Sequence, residues 1–217
     1  LPGAGVLPGA VGPLEPLPGL CDDGEIKKQP PRRMEASGGA ALIGEVKMII
    51  LETERLVLRE MEQGDFADLA EILQDPEVMY AYEHDFTDAD VQAWLDRQRH
   101  RYARNGFGLW AVILKESDQM VGQAGLTMQP YQGGEVLEIG YLLKKRFWGR
   151  GYAREAAAAC KRYAFDTMKK NKVCSIIKTD NLASIRVAES IGMKREAAFI
   201  ARYYNGDMPH FLYAVER

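Results

Sequence analysis

RFWGRGYA, residues 146–153, joins two runs of contrasting pattern. The run before it, Glu135 to Leu143, is rich in Val, Leu, Ile and Tyr and predicts a strand. The run after it, Arg154 to Lys170, is alanine-rich and predicts a helix. A helix start carries unpaired N–H groups and partial positive charge, and glycines without Cβ let those groups close around a phosphate. With Arg146 and Arg150 adding charge, the stretch predicts an anion site where the strand turns into the helix.

The spacing of this anion site differs from that of two other phosphate-binding loops. A Walker loop requires four residues between a glycine and Gly-Lys-Ser/Thr, and a Rossmann loop requires G-x-G-x-x-G at the start of a series of βαβ units. Neither fits this stretch. The remaining alternative is a glycine-rich turn that caps an ordinary helix. The strand and the helix on its two flanks favour the anion site over that alternative.

The order of strand, R-x-x-G-x-G-Y-A and alanine-rich helix resembles the acetyl-coenzyme A loop of the GCN5-related N-acetyltransferase (GNAT) family. A second segment, LETERLVLR at residues 51–59, is similar to the RimJ/RimL branch of that family, which includes enzymes that acetylate the N-termini of ribosomal proteins. In the family, the loop amides hold the pyrophosphate of the coenzyme. The resemblance therefore implies an acetyl-coenzyme A site formed by Arg146, Gly149, Arg150, Gly151, Tyr152 and Ala153.

Composition limits the classes of protein to which the chain can belong. Its 217 residues are 47% hydrophobic and 27% charged, the balance of a soluble globular protein. The formal net charge of −3 argues against non-specific nucleic-acid binding, and no apolar run approaches the roughly 20 residues needed to cross a bilayer. Three cysteines without C-x-x-C spacing favour a reduced, cytoplasmic setting, and three scattered histidines predict that no metal is bound.

Residues 1–47 differ from the rest of the chain. Leu-Pro-Gly repeats, a charged patch and a Gly/Ala segment follow one another without helical or strand periodicity, so we expect a disordered tail. Residues 48–217 carry patterned runs separated by turn signals and predict one domain. The predicted elements before the loop are a strand at 49–61, a helix that begins after Asp65, a helix that begins at Thr87 and ends at Asn105-Gly106, and strands at 107–114, 120–128 and 135–143. In the second helix, Asp90 is placed as the capping-box partner of Thr87, and the predicted apolar stripe consists of Val91, Trp94, Leu95, Gln98 and Tyr102. After the loop come the helix at 154–170, a strand at 173–178, a helix at 181–192, and a hairpin of strands at 193–204 and 208–215 that turns at Asn205-Gly206.

This order fits the fold that the resemblance implies, an α/β (α+β) domain whose mixed central sheet has about six to seven strands flanked by about four helices. The strand at 173–178 follows the strand at 135–143 through a helix, so we expect the two to lie parallel. In the family these two strands splay apart, and the pantetheine arm of the coenzyme pairs with backbone groups in the gap. Tyr141, Leu142 and Leu143 match those positions, and their side chains also fit the core of a plain strand.

Two residues are candidates for catalysis. Glu138 lies inside an otherwise apolar strand where relatives place a general base, and a solvent-facing position is the alternative. Asn181 and Ser184 match an N-x-x-S pattern at the start of a helix, where relatives use the asparagine amide on pantetheine; capping that helix is an equally good role for Asn181. The Ser184 hydroxyl can donate to the thioester or its sulfur. Many relatives instead use a tyrosine seven residues after the asparagine, where this chain has Ala188, so Ser184 or water is the expected donor.

The resemblance therefore implies an enzyme that transfers the acetyl group of acetyl-coenzyme A to a primary amine directly, in a ternary complex. We expect the acceptor to be a protein N-terminus, such as that of a ribosomal protein, or a small amine, and the protein to be a monomer or a homodimer. The alternative is a catalytically silent acyl-coenzyme A binding module. The presence of both Glu138 and Ser184 favours the enzyme.

Overall fold

The computed structural model describes residues 48–203 and 206–217, so the predicted tail at 1–47 and Asn205 of the predicted hairpin lie outside the described residues. The strands are β1 Ile49–Glu52, β2 Leu56–Arg59, β3 Leu109–Leu114, β4 Gln119–Tyr131, β5 Gly134–Leu143, β6 Lys172–Lys178, β7 Lys194–Tyr203 and β8 Gly206–Glu216. The helices are α1 Phe66–Leu73, α2 Pro76–Met79, α3 Asp88–Asn105, α4 Tyr152–Arg162 and α5 Leu182–Ser190. Turns of 3-10 helix lie at Gln63–Asp65 and Lys145–Phe147, and a π-helical turn, Tyr163–Thr167, follows α4.

These strands form one sheet in the order β1-β2-β3-β4-β5-β6-β8-β7. Neighbouring strands are antiparallel except β5 and β6, which run parallel because the chain crosses over through α4 between them. The predicted mixed sheet and α+β fold are thus confirmed, with eight strands instead of six to seven and five helices instead of four within the described ranges. None of the helices in these ranges is long and apolar enough to span a membrane.

The predicted strand at 49–61 is wrong in one respect, because the segment forms two strands. β1 and β2 pair antiparallel, with Leu51 opposite Leu58. Between them, Thr53 N donates to Leu56 O at 2.9 Å, and Leu56 N donates to Thr53 Oγ1 at 2.9 Å. A threonine hydroxyl that satisfies a nearby backbone group stabilises a turn. The strand was predicted from the alternation at residues 55–59, whereas the run of four polar residues at 52–55 corresponds to this turn.

Helix α3 begins and ends where the sequence predicts. Asp90 N donates to Thr87 Oγ1 at 3.3 Å and Thr87 N donates to Asp90 Oδ2 at 2.9 Å, which completes a capping box. Gly106 ends the helix with a φ of 79°, the left-handed conformation that favours glycine. The predicted apolar stripe of the helix is buried; it consists of Val91, Trp94, Leu95, Gln98 and Tyr102.

Different helices cover the two faces of the sheet. Trp110 and Val112 of β3 belong to the core cluster that contains Ala157 of α4. The residue between them, Ala111, belongs to a second cluster with Leu95 of α3. Because side chains alternate along a strand, α4 covers one face of the sheet and α3 the other.

Candidate functional site

The predicted anion loop runs from the end of β5 into α4. Gly149 and Gly151 have φ values of 73° and 80°, a backbone conformation that residues with a Cβ disfavour. Gly151 is the N-cap of α4, and Glu155 N donates to Gly151 O at 3.0 Å. The N–H groups of Tyr152 and Ala153 precede this hydrogen bond and point out of the helix start. The loop therefore has the geometry of a helix N-terminus that a glycine-rich turn leaves open to an anion.

Arg55, in the turn between β1 and β2, contacts this loop from the side. Its Nη1 donates to Arg150 O at 3.0 Å, and its guanidinium carbon lies 4.6 Å from the centre of the Tyr152 ring. Arg55 Nη2 also forms an ion pair with Glu155 Oε2 at 2.6 Å, while Thr53 Oγ1 donates to the other oxygen of that carboxylate at 2.6 Å. Burial raises the pKa of Glu155, but the hydrogen bonds from Thr53 and Arg55 outweigh it, so the pKa is lowered. The sequence does not predict this contact, because 95 residues separate Arg55 from Arg150.

The other side of the loop is tied to α1. Lys144 is buried, and its ammonium group contacts the carboxylates of Asp68 and Glu71, with 2.6 Å between Nζ and Glu71 Oε2. Glu71 also pairs with Arg146. Arg150 is exposed and forms no ion pair with the residues that the structure describes. Of the two arginines predicted to bind the anion, Arg150 thus has the unneutralised charge.

Strands β5 and β6 are neighbours in the sheet but pair over only a short stretch. One pair of residues, Glu138 and Cys174, lies in register between them. Next to this pair, Ser175 Oγ donates to Ile139 O at 2.9 Å. Beyond it the gap between the strands opens into a cleft of about 160 Å³, lined by both strands, by α3 and by the start of α5. This is the gap that the family resemblance predicts.

The backbone of β5 has an unpaired edge along this cleft. Lys144 N donates to a carbonyl of β4 at 3.0 Å, and the backbone groups of a strand point to alternate edges. The N–H and C=O groups of Tyr141 and Leu143 therefore point away from β4. Trp148 Nε1 donates to the Leu143 carbonyl at 2.9 Å, whereas Tyr141 is paired in register with no residue of β6. Leu142 pairs with Gln123 of β4 and is also one of the residues that line the cleft.

Glu138 is half-buried at the narrow end of the cleft. Its Oε1 accepts from Ile176 N at 3.2 Å, and its Oε2 accepts from Thr127 Oγ1 at 3.2 Å. Burial raises the pKa of this carboxyl group, against smaller opposing effects of its hydrogen bonds and of the charge on Arg101. The structure thus places Glu138 in the cleft and not on a solvent-facing position. A carboxylate with a raised pKa is better suited to remove a proton near neutral pH.

The start of α5 forms another wall of the cleft. Ser184 N donates to Asn181 Oδ1 at 3.0 Å, so Asn181 caps the helix, and its amide nitrogen is the part left to contact a ligand. Ser184 lines the cleft and is half-buried. Tyr141 OH donates to Ser184 O at 2.9 Å, and burial raises the pKa of Tyr141, so the phenol stays protonated. The sequence predicted a role only for the backbone of Tyr141, and nothing in it indicated that the hydroxyl contacts the backbone of Ser184.

Helix α3 brings two cationic groups that sequence analysis also missed. Arg97 and Arg101, one turn apart, are half-buried and line the same cleft as Glu138. Their i, i+4 spacing beside the buried Trp94 was visible in the sequence. What the sequence did not show is that this side of α3 borders the gap between β5 and β6.

The predicted site residues fall into two groups. Those in the cleft are Glu138, Tyr141, Leu142, Asn181 and Ser184. Those of the loop lie outside the lining of the cleft, beyond the end of β5; they are Arg146, Gly149, Arg150, Gly151, Tyr152 and Ala153. Leu143 connects the two groups at the last position of β5.

Two cysteines lie in the described part of the chain, and neither is suited to react. Cys160 and Cys174 are both buried, and burial raises the pKa of Cys160 to about 12 and that of Cys174 as well. Within residues 48–203 and 206–217, no group of three His, Cys, Asp or Glu side chains is placed to hold a metal ion.

Comparisons with known proteins point to one family. The profile described as "Acetyltransferase (GNAT) domain" matches residues 55–194. The chain is 39% identical to the Bacillus subtilis protein YkkB over 144 residues, which are 66% of this chain and 84% of YkkB. It is 32% identical to the N-acetyltransferase YnaD of the same organism over 150 residues, 69% of this chain and 85% of YnaD. A crystal structure of a GNAT-family acetyltransferase from Bacillus anthracis has a TM-score of 0.66 and 30% identity, and the match covers 78% of this chain and 98% of that one.

Proposed function

Since this chain belongs to the GNAT family of acetyltransferases, we propose that it transfers the acetyl group of acetyl-coenzyme A to a primary amine, directly and in a ternary complex. The family supplies the reaction class and the co-substrate. The observation that carries the rest of the proposal is the cleft between β5 and β6, which has an unpaired backbone edge on one side and Glu138 at its narrow end.

The residues of the loop and the cleft fit the two halves of the coenzyme. The pyrophosphate would lie on the N–H groups at the start of α4, where the left-handed Gly149 and Gly151 leave room for it and Arg150 adds positive charge. The pantetheine arm would follow the edge of β5 and hydrogen-bond to the backbone of Tyr141, as an added strand does. The amide of Asn181 is placed to contact the same arm from α5.

Glu138 and Ser184 provide the proton transfers. The Glu138 carboxylate accepts a proton from the acceptor ammonium group, directly or through water, and leaves a neutral amine. The amine nitrogen then bonds to the thioester carbonyl carbon as the carbon–sulfur bond breaks, and the nitrogen loses its remaining extra proton to solvent to give the neutral amide. The Ser184 hydroxyl, or water, donates a proton to the departing thiolate and recovers one from solvent. The Tyr141 phenol donates to the backbone carbonyl of Ser184 and so helps to hold the start of α5 at the cleft.

A direct transfer requires no nucleophile on the protein. Cys160 and Cys174 are buried with raised pKa values, so neither provides the thiolate that a covalent acetyl-enzyme would need. As the acceptor we propose a protein N-terminus, such as that of a ribosomal protein, or a small amine. Action in the cytoplasm, as a monomer or a homodimer, is part of the same proposal.

Thiol release from acetyl-coenzyme A tests this function. The protein is incubated with acetyl-coenzyme A and a panel of amines and N-terminal peptides, and mass spectrometry identifies any acetylated acceptor. We expect thiol release that depends on an acceptor and matches the amount of amide formed. Binding of coenzyme A without turnover of any acceptor would instead show a silent binding module.

A further inference from the structure

The acceptor side of the cleft contains an arginine without an acidic partner. Arg101 lines the cleft and is half-buried, and burial lowers its pKa. Its Nη1 donates a long hydrogen bond to Gln98 Oε1, at 3.4 Å. Within the described part of the chain, no carboxylate oxygen lies within ion-pair distance of this guanidinium. A cation removed from water without a counter-ion is costly, so such a group suits an anionic ligand.

Among the described residues, no other charged group of the cleft forms an ion pair with Arg101. Lys178 also lines the cleft, but its ammonium group contacts Glu83 at 2.7 Å and Asp180 at 3.4 Å. Arg97, one turn before Arg101, adds a second guanidinium to the lining, with its carbon 5.4 Å from the centre of the Trp94 ring. The carboxylate among the cleft's lining residues is Glu138, which is not ion-paired with Arg101.

Glu138 and Arg101 can contact two opposite charges on one acceptor molecule, because they do not pair with each other. Glu138 is the proposed base for an ammonium group, and an ion pair with Arg101 would occupy it. Since the two side chains line one cleft without pairing, a molecule that bears both an ammonium and an acid group can lie between them. The guanidinium group of an arginine binds a carboxylate or a phosphate through two parallel hydrogen bonds.

We propose that the acceptor is a small amine that carries an acid group, with its ammonium at Glu138 and its carboxylate or phosphate at Arg101, assisted by Arg97. This inference rests on the proposed acetyl transfer and specifies the substrate class for that same cleft. Polyamines lack the acid group, and their additional positive charge would lie near two guanidinium groups.

Four amines, each with two carbons between the nitrogen and a second functional group, separate the effect of charge from that of size. β-Alanine carries a carboxylate, O-phosphoethanolamine a phosphate, ethanolamine a neutral hydroxyl and ethylenediamine a second cation. We expect kcat/KM to be about tenfold or more higher for at least one acidic amine than for ethanolamine, because charge-assisted hydrogen bonds are the stronger kind. The ranking of β-alanine and O-phosphoethanolamine then identifies which acid group the cleft takes. Equal kcat/KM values for the acidic and the neutral amine would overturn the inference.

Arg101→Gln should remove this preference by raising KM for the acidic amine, with little change for ethanolamine. Arg104→Gln is the matched control, since Arg104 is exposed in the last turn of the same helix and should leave the preference intact. The melting-temperature rise with coenzyme A shows whether each variant is folded. If Arg101→Gln does not fold, the comparison of amines with the unmodified protein and with Arg97→Gln decides the question. Failure of every amine and peptide to release thiol would count against the proposed function, whereas turnover without a preference for acids would overturn only this inference.

Discussion

Replacing Glu138 with glutamine tests the proposed base with little disturbance of the structure. A glutamine oxygen can still accept from Ile176 N, now 3.2 Å from Glu138 Oε1, and its NH₂ group can donate to Thr127 Oγ1, now 3.2 Å from Oε2. Both contacts therefore survive the exchange. The glutamine amide, however, cannot take up the proton of the acceptor. We expect kcat/KM to fall by about 10²- to 10⁴-fold, the range for loss of general acid–base catalysis, while coenzyme A affinity stays nearly unchanged.

The raised pKa of Glu138 determines how the stability and the rate of the Glu138→Gln variant should change with pH. Burial raises the pKa of Glu138 above the ordinary value of 4.5, so the folded protein binds this proton more tightly than the unfolded chain. The stability cost of ionising Glu138 is thus absent at acid pH and appears as the pH rises through the raised pKa. Glu138→Gln should therefore be as stable as the parent at neutral pH, or more stable. The rate deficit should shrink at alkaline pH, where solvent supplies amine that is already deprotonated.

Thiol release measured from acid to alkaline pH, together with thermal melting, checks both expectations. Glu135→Gln is the matched control, because Glu135 lies on the same strand, is exposed and lines no part of the cleft. A Glu138→Gln variant that turns over like the parent across the whole range would refute the role of base. A deficit that stays constant with pH would point to a defect in acceptor binding instead.

Three further predictions concern the loop, the proton donor and the tail. Gly151→Val should abolish the melting-temperature rise that coenzyme A produces, since valine disfavours a φ of 80°; a rise equal to the parent's would contradict the loop assignment. Ser184→Ala should slow thiol release by less than about 10²-fold because water can replace the hydroxyl, and the loss should persist at alkaline pH; rescue there would contradict a donor role. Deleting residues 1–47 should leave melting and coenzyme A binding unchanged, and a large drop in melting temperature would show that the tail packs on the domain.

Local signals explain what the sequence predicted. Thr87, Asp90 and Gly106 define the ends of α3 through contacts within three or four residues, and each lies where a cap requires it. The positive φ values of Gly149 and Gly151 are also a local property, because glycine adopts this conformation without help from distant residues. The helix predicted at 154–170 was correct only in part. α4 ends at Arg162, and a π-helical turn follows in which Met168 N donates to Tyr163 O, a spacing that no helical periodicity distinguishes.

Contacts between distant parts of the chain could not be predicted from the sequence. Arg55 reads as a polar strand residue, yet it binds the loop carbonyl of Arg150. Arg101 reads as a solvent-exposed helix residue, and only the separation of β5 from β6 gives it a cleft to line. Whether Glu138 faced solvent or the site also depended on this separation. The sequence thus indicated the type of chemistry, while the tertiary structure determined which charges surround it.

The separation of β5 from β6 gives the sheet two inner edges in addition to its outer edges at β1 and β7. Exposed edges commonly recruit strands from other chains and so promote aggregation. Here the edge of β5 lies within a cleft of about 160 Å³, and the Tyr141 hydroxyl bonds across to the backbone of Ser184. A slender, flexible arm fits such a space, whereas a folded neighbour's strand with its side chains does not. The protein can therefore keep strand-pairing groups free for a small molecule without offering them to other proteins.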